Sequence, residues 1–284
     1  RSPRLFEGPD VTGSLRESIA AQWGMARVPV VAGGGDNAAG AAGIGVVDEG
    51  DALLSLGTSG VIFVPTSSFL PNPDRAVHAF CHCIPNMWHQ MSVHLSAASC
   101  VDWGARATGA AGPAEFFELA ERAGPARGGE LFLPYLSGER TPHNDAHIRG
   151  ALLGLDNETD RGRIAAAVLE GVAFAHADGL DALRAAGARV EQLSVIGGGA
   201  RSRYWGTIIA STLGVRLAYL DGGEVGPALG AAKLAVMAVT GATTRQACAP
   251  PPLSGIVEPD PLLAERLAPR LARFRAAYAA LRSL

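Results

Sequence analysis

Three glycine-rich segments, each joined to an apolar run, place the strongest constraint on what this sequence can fold into. They are residues 33–35, 57–60 and 197–199, and glycine supplies 36 of the 284 residues. Glycine lets a backbone approach another backbone or a ligand closely, and amide groups exposed at such turns bind anions. We therefore predict that these glycine-rich segments lie at strand ends and bind a ligand such as a phosphate group.

Apolar periodicity predicts that strands and helices surround these segments. The predicted strands are 28–32, which is expected to be buried, 52–56, 61–65, 78–84, 88–93, 131–133, 193–196 and 215–220, and the segment 151–155 leads into the long helix at 159–186. The predicted helices are 12–26, 38–45, 95–108, 113–123, 159–186, 202–213, 227–239 and a last one within 262–281. Residues 57–60 predict a hairpin turn, 221–223 a turn, and the proline-rich segment 248–260 a loop. Hairpins followed by strand–helix units indicate an α+β or mixed α/β protein.

Composition excludes several classes of protein. Hydrophobic residues make up 48% of the chain and charged residues 18%, which is enough apolar surface for a sizeable core and excludes disorder. The 24 basic and 27 acidic residues give a net charge of −3, which argues against a nucleic-acid or anionic-membrane partner. No apolar run is long enough for a transmembrane helix, and residues 1–10 lack a signal-peptide core.

The four cysteines favour free thiols in a reducing, cytoplasmic environment. They are Cys81, Cys83, Cys100 and Cys248. Cys81, His82 and Cys83 resemble a fragment of a zinc site, but these ligands are too close together and no second pair follows. We therefore predict no metal site among the residues of this chain.

Asp36, directly after the first glycine segment, is a candidate catalytic residue. A carboxylate at the mouth of a strand, with little steric cover, can take a proton from a hydroxyl or hold a cation. The alternative is that Asp36 caps the helix predicted to begin at Ala38. The spacing alone leaves both interpretations open.

The second and third glycine segments are candidate phosphate and nucleoside sites. Thr58 and Ser59 add hydroxyl donors to the backbone amides of the hairpin turn, and residues 197–199 run into a helix N-terminus that favours phosphate or an adenosine. An ordinary hairpin connection and a tight strand–helix turn are the alternatives. The sequence contains no GxxxxGK[ST], GxGxxG or GxSxG pattern, which argues against a P-loop, a dinucleotide-binding site and a serine hydrolase. Three separate glycine-rich segments are better explained by a nucleotide held between two lobes.

The histidines are interpreted as structural. His78, His82, His89 and His94 lie on adjoining predicted strands, and we expect them to be satisfied core histidines, since no Asp or Glu stands at ligand spacing. A second group, His143 and His147 on either side of Asp145, is expected to be a solvated part of a loop.

Residues 33–40 and 50–60 resemble the FGGY family of carbohydrate kinases. Further matches follow in chain order at 88–92, 95–103, 132–144, 196–202 and 226–232. One position departs from the pattern, since Arg163 stands where the second family signature usually has a shorter polar or acidic residue or histidine. The matches cover nearly the whole chain.

The resemblance implies an α/β protein with the actin-like ATPase (ribonuclease H-like) fold, a mixed sheet flanked by helices. It implies one complete domain plus the tail of another: residues 1–48 would end a first, sugar-binding domain, and 49–284 would form the second, nucleotide-binding domain. ATP and Mg²⁺ would be the cosubstrate and cofactor. The implied sites are Asp36 as catalytic base, Asp36 and Asn37 at the sugar, Gly57, Thr58 and Ser59 at the phosphates, and Gly198, Gly199 and Ala200 at the adenosine.

The resemblance also predicts that part of the active site is missing from this chain. Family members are nearly twice as long and begin with a DxGT-type phosphate loop. We therefore expect a C-terminal half that is inactive alone, with uncovered apolar surface that favours self-association, for example as a homodimer. Two alternatives stay open: a non-catalytic nucleotide-binding or assembly module of the actin-like superfamily, and a family member acting on another sugar.

Overall fold

The structure, a computed structural model, describes residues 3–222 and 226–282, in which strands and helices are interspersed. The strands are β1 (Val11–Ser14), β2 (Pro29–Val31), β3 (Leu53–Leu56), β4 (Gly60–Thr66), β5 (His78–Cys81), β6 (Trp88–His94), β7 (Leu131–Leu133), β8 (Ala151–Leu153), β9 (Gln192–Ile196), β10 (Arg216–Leu220) and β11 (Leu253–Val257). The helices are α1 (Glu17–Trp23), α2 (Asp36–Gly43), α3 (Ala98–Thr108), α4 (Pro113–Ala123), α5 (Arg161–Ala185), α6 (Arg203–Leu213), α7 (Pro227–Thr240), α8 (Thr244–Ala247) and α9 (Pro261–Leu281). Short 3-10 segments lie at Pro73–Arg75 and Gly198–Arg201.

A seven-stranded mixed sheet, in the order β11-β10-β9-β3-β4-β6-β5, forms the centre of the fold. Strand β9 pairs in parallel with both β3 and β10, while the other neighbouring pairs in this sheet are antiparallel. Strands β3 and β4 form the predicted hairpin, with Leu56 paired to Gly60. The mixed sheet with flanking helices confirms the predicted α/β class.

Apolar side chains cover both faces of the sheet. Because neighbouring residues of a strand point to opposite faces, Leu54 and Ile62 pack with α3, α5 and α6, whereas Leu53 and Phe63 pack with α2 and α7. Helix α5 is buried over most of its 25 residues. A strand covered on both faces is apolar throughout, which is why these central strands could be predicted from unbroken apolar runs.

Helices α2 and α7 cross at very short range through small residues. A Cβ atom on Gly43 would lie 3.2 Å from the amide nitrogen of Gly230, and one on Gly230 would overlap the carbonyl oxygen of Ala39. The ammonium group of Lys233 donates hydrogen bonds of 2.8 Å to the carbonyl oxygens of Gly43 and Ala249. These contacts fix α2, which carries Asp36, to α7 and to the segment that follows α8.

Several predicted elements were wrong in type or extent. The helix predicted over 12–26 begins instead as strand β1, which pairs with β2, and α1 follows; β2 itself is largely exposed. The loop predicted over 248–260 contains edge strand β11, paired antiparallel with β10. The turn predicted at 221–223 is described only at Asp221 and Gly222, and Gly223 lies outside the described residues.

Both errors of type concern short exposed strands, whose stability comes from pairing with a neighbour rather than from their own pattern. Within residues 3–222 and 226–282, none of the helices combines the length and the apolar character that a membrane span requires.

Candidate active site

The hairpin turn, residues 57–59 between β3 and β4, is anchored by hydrogen bonds from the start of α3 to its carbonyl groups. The carbonyl oxygen of Gly57 accepts a hydrogen bond of 2.8 Å from the amide of Ala98, and that of Thr58 accepts one of 2.9 Å from Ala97. Thr58 and Ser59 are exposed. Within the described residues, their amide and hydroxyl groups donate to no protein acceptor. The turn therefore directs carbonyl groups toward the start of α3 and leaves donors for an anion.

The third glycine segment lies against the hairpin turn. A Cβ atom on Gly197 would lie 2.8 Å from the carbonyl oxygen of Leu56 and 3.1 Å from the amide nitrogen of Gly57. Gly197 also has a φ of 89°, a conformation that favours glycine. One residue further, a Cβ atom on Gly199 would lie 2.8 Å from the Cβ of Leu56. The parallel pairing of β3 with β9 thus brings two glycine segments, far apart in sequence, onto one surface.

A cavity of about 610 Å³ opens beside residues 198–199. Its walls come from the 3-10 segment, from α3 and α4, and from the start of α6. The lining residues are Ala98, Val101, Asp102, Pro113, Ala114, Phe117, Gly198, Gly199, Arg201, Ser202 and Trp205. Apolar groups predominate, and the hairpin turn, hydrogen-bonded to the first residue of α3, adjoins the cavity. The arrangement suits a flat apolar group joined to an anion.

The α3–α4 wall of this cavity was not assigned a role in the sequence prediction. Ala98, Val101 and Asp102 stand at positions i, i+3 and i+4 of α3 and therefore share one face of the helix. That spacing is visible in the sequence directly after the hairpin. Its significance becomes apparent only when α4 closes the other side of the cavity.

A second cavity, of about 410 Å³, lies near the carboxyl ends of β9 and β10 and shares only Arg201 with the lining of the first. It is more polar than the first. The guanidinium carbon of Arg203 stands 3.5 Å from the centre of the Tyr219 ring, and the hydroxyl of Ser254 donates to the carbonyl oxygen of Tyr219. This cavity is lined by Gly197 and Ala200 but not by the residues of α3.

Asp36 is the first residue of α2 and is exposed. One carboxylate oxygen, Oδ1, accepts hydrogen bonds from the backbone amide of Asn37 at 2.8 Å and from its side-chain amide at 3.2 Å. The N-cap residue of α2 is Gly35, and no side chain caps the helix. The interpretation of Asp36 as the cap is therefore wrong. A carboxylate in the first helical turn is stabilised by the helix dipole.

The start of α2 and the hairpin are connected through the apolar layer between them. Ala38 and Ala41 belong to the same cluster of buried side chains as Leu53 of β3 and Val61 of β4, the two strands that the hairpin turn joins. The structure therefore packs the helix of Asp36 against the strands that carry the turn, and it joins the turn directly to residues 197–199.

The expectation that the strand histidines are satisfied was only partly right. His82 accepts a hydrogen bond from the amide of Ile84 at 3.1 Å, and His94 lies 3.3 Å from a carboxylate oxygen of Glu139. His89 stacks on Phe63, with ring centres 4.4 Å apart. Yet a ring nitrogen of each of these three histidines is buried without a partner among the described residues. Burial lowers the pKa of His82 and of His89 to about 4.

His143 is not a solvated loop residue, contrary to the prediction. Its ring stacks on Tyr278 with ring centres 3.5 Å apart, and its Nε2 lies 3.1 Å from the hydroxyl of Tyr135. Burial lowers its pKa to about 4. His147 is exposed, as expected. Packing against α9, which is distant in sequence, accounts for the difference between the two.

Comparison with known proteins agrees with this geometry. The model of the FGGY family of carbohydrate kinases, C-terminal domain, matches residues 52–239. The chain belongs to the FGGY family of carbohydrate kinases, as the sequence resemblance predicted. Its relatives include xylulose kinases: one from Escherichia coli (strain K12) is 52% identical over 83% of this chain, and one from Klebsiella pneumoniae is 48% identical over 99% of it.

A solved structure of a related protein has a similar fold. The crystal structure of a "xyloylose kinase" from Brucella ovis superposes on this chain with a TM-score of 0.93 and 47% sequence identity. The match covers 99% of this chain and 58% of the Brucella ovis chain. The present chain also spans only 49% of the Escherichia coli relative and 58% of the Klebsiella pneumoniae one. It thus corresponds to about half the length of the proteins it matches.

Proposed function

We propose that this chain is the nucleotide-binding half of an ATP-dependent xylulokinase, which converts D-xylulose into D-xylulose 5-phosphate. The observation that carries the proposal is the contact between the hairpin turn and residues 197–199 beside an apolar cavity. Support for the choice of sugar comes from the xylulose kinases at 48–52% identity. In this proposal residues 1–48 end the sugar-binding domain and 49–284 form the nucleotide-binding domain.

The nucleotide would lie along the glycine segments. We place its adenine in the cavity of about 610 Å³, against Gly198 and Gly199, because this cavity is the more apolar of the two and adjoins the turn. Ala200, the third residue that the resemblance implies at the adenosine, lines the second cavity instead. The phosphates would accept hydrogen bonds from the amides of Gly57, Thr58 and Ser59 and from the two hydroxyls. Backbone donors in a glycine-rich turn bind phosphate without a charged side chain.

Mg²⁺ is the proposed cofactor. No group of three or more His, Cys, Asp or Glu within the described ranges could hold a metal ion. In nucleotide sites Mg²⁺ is commonly bound by phosphate oxygens, water and one or two carboxylates. When bound, the ion would neutralise charge on the transferring phosphoryl group.

Asp36 would act as the general base. Its carboxylate would accept the proton of the C5 hydroxyl of the sugar as that oxygen forms a bond to the γ-phosphorus and the bond from phosphorus to the ADP oxygen breaks. The side chain of Asn37 holds one carboxylate oxygen, which leaves the other for the sugar. Because phosphoryl transfer depends largely on positioning and charge stabilisation, one modest base and the backbone donors suffice on this side of the site.

An ADP-release assay on the intact enzyme that contains this sequence tests the sugar. We expect turnover with D-xylulose to exceed that with D-ribulose and with simple polyols. A preference for another pentose or polyol would make the protein a different kinase of the family, such as a ribulokinase. Nucleotide binding with no response to any sugar would instead favour the non-catalytic actin-like module.

Two further expectations belong to this proposal. All four cysteines are unpaired, which is compatible with the cytoplasmic location that we expect for a sugar kinase. Exposed apolar side chains near the start of the chain, including Trp23, Met25 and Val30, provide surface for a first domain or for self-association as a homodimer. Sedimentation analysis would separate these two occupants.

A further inference from the structure

Asp102 is an acidic side chain on the α3 wall of the large cavity. We propose that its carboxylate binds the ribose hydroxyls of the nucleotide and makes the site selective for ribonucleotides. The inference rests on the proposed nucleotide site and adds a residue that determines which nucleotide is accepted.

The carboxylate of Asp102 is available to a ligand. Its residue is exposed, and among the described residues it makes no hydrogen bond or ion pair. No other acidic residue is among those that line this cavity in the described part of the chain. An ionised carboxylate only accepts hydrogen bonds, so its ligand must present donors. A vicinal diol presents two hydroxyl donors at a spacing that one carboxylate can accept together, as in dinucleotide-binding proteins.

The position of Asp102 along α3 matches the ribose rather than the phosphates. Ala98 begins α3 and donates its amide to the carbonyl oxygen of Gly57 in the hairpin turn. Asp102 comes four residues later, which is about 6 Å along the helix axis. A nucleotide with its phosphates at the turn would bring its sugar to this level of the helix. The apolar side chains of Val101 and Phe117, in the same cavity, are left for the base.

The proposal predicts a specific pattern of nucleotide affinities. Hydrogen bonds to a charged acceptor contribute more than those between neutral groups, so loss of the diol should weaken binding roughly 10-fold in the parent protein. In the Asp102→Ala variant, ATP should bind roughly 10-fold more weakly. The same variant should distinguish ATP from 2′,3′-dideoxy-ATP by no more than about twofold, because the acceptor for the diol is gone.

Calorimetric titration of the 284-residue chain with ATP, 2′-deoxy-ATP, 2′,3′-dideoxy-ATP and ITP, each with Mg²⁺, measures this pattern. Asp102→Asn, which has the same shape, and Asp102→Ala are compared with Glu118→Gln, an exposed substitution on α4 outside the lining of the cavity. The melting temperature of each variant confirms folding. We expect the parent and Glu118→Gln to discriminate against the deoxynucleotides and both Asp102 variants to lose that discrimination.

Three results would overturn the inference, and they differ from one another. If the Asp102 variants keep the full preference for ATP, the carboxylate does not contact the ribose. If they lose instead the preference for ATP over ITP while the diol still matters, Asp102 contacts the base. If the parent chain binds no nucleotide at all, the proposed nucleotide site itself is wrong.

Discussion

His176, in the middle of α5, lies directly beneath Gly60, the residue that closes the hairpin turn. A Cβ atom on Gly60 would lie 2.7 Å from Nε2 of His176 and 3.1 Å from the Cβ of Ala97. The His176 ring is fully buried, with the ring of His94 edge-on at 4.6 Å between centres. Burial, and secondarily the proximity of His94, lowers the pKa of His176 well below its usual value, so a neutral ring supports the turn.

Substitution of Gly60 by alanine should destabilise the protein through this contact. The added methyl group would force the turn or the buried ring to move, and such overpacking costs about 1–3 kcal/mol in free energy of unfolding. Urea unfolding measures the change. Gly57→Ala in the same turn is the matched control, because its Cβ atom would meet only the carbonyl oxygen of Ser59, at 3.5 Å.

A double-mutant cycle with His176→Ala assigns that cost to the ring. If the imidazole is the obstacle, Gly60→Ala should be less destabilising in the His176→Ala background than in the parent. Equal effects of Gly60→Ala in the two backgrounds would show that the ring is not what requires glycine at this position.

The buried histidines of β6 and its neighbouring loop should make the protein less stable in mild acid. The pKa of His82 and of His89 is about 4 in the folded protein, against about 6.5 when unfolded. The free energy of unfolding has its full value above pH 6.5 and falls as the pH drops toward 4, because these histidines bind protons in the unfolded chain but not in the folded protein. Between pH 8 and pH 5 the loss is about 2 kcal/mol for each histidine.

His89→Phe isolates one of these contributions, since phenylalanine can keep the stack on Phe63 and does not titrate. We expect the free energy of unfolding of this variant, measured in urea at both pH values, to fall by about 2 kcal/mol less than that of the parent. The comparison variant is His147→Gln, which removes an exposed histidine and should retain the parental loss. A parental loss in His89→Phe would mean that His89 titrates alike in the folded and unfolded states.

Asp36→Ala should abolish sugar phosphorylation in the intact enzyme and leave ATP binding in place. The carboxylate is the proposed base, whereas the nucleotide is held by the glycine segments. Loss of a general base typically lowers the rate by 10²–10⁴-fold. Steady-state turnover and ATP titration are measured together, with Asp74→Ala as an exposed control in the 3-10 segment after β4. Turnover close to that of the parent would exclude the role of base.

The central sheet and the glycine segments were predictable because local sequence determined them. Buried strands such as β4 and β9 appear as apolar runs, and Pro113–Ala123 was predicted as a helix with its observed bounds. Edge strand β11 was missed because it gains its stability from pairing with β10.

The composition of the site was less predictable than the fold. The resemblance predicts a site at residues 57–59 and 198–200, but the contact between Gly197 and Leu56 arises from the parallel pairing of β3 with β9. Likewise, the burial of His176 under Gly60 joins residues that are far apart in the chain. Spacing along the sequence carries no information about contacts of this kind.

Nucleotide titration of two cavity-filling variants shows which of the two cavities holds the adenine. Ala114→Trp places a large ring in the cavity beside residues 198–199, and Ser254→Trp places one in the second cavity, near the carboxyl ends of β9 and β10. We predict that the parent chain binds ATP with Mg²⁺, that Ala114→Trp weakens this binding at least 10-fold, a change of about 1.4 kcal/mol, and that Ser254→Trp leaves it unchanged. Unaltered binding by Ala114→Trp, or no binding by the parent, would contradict the account.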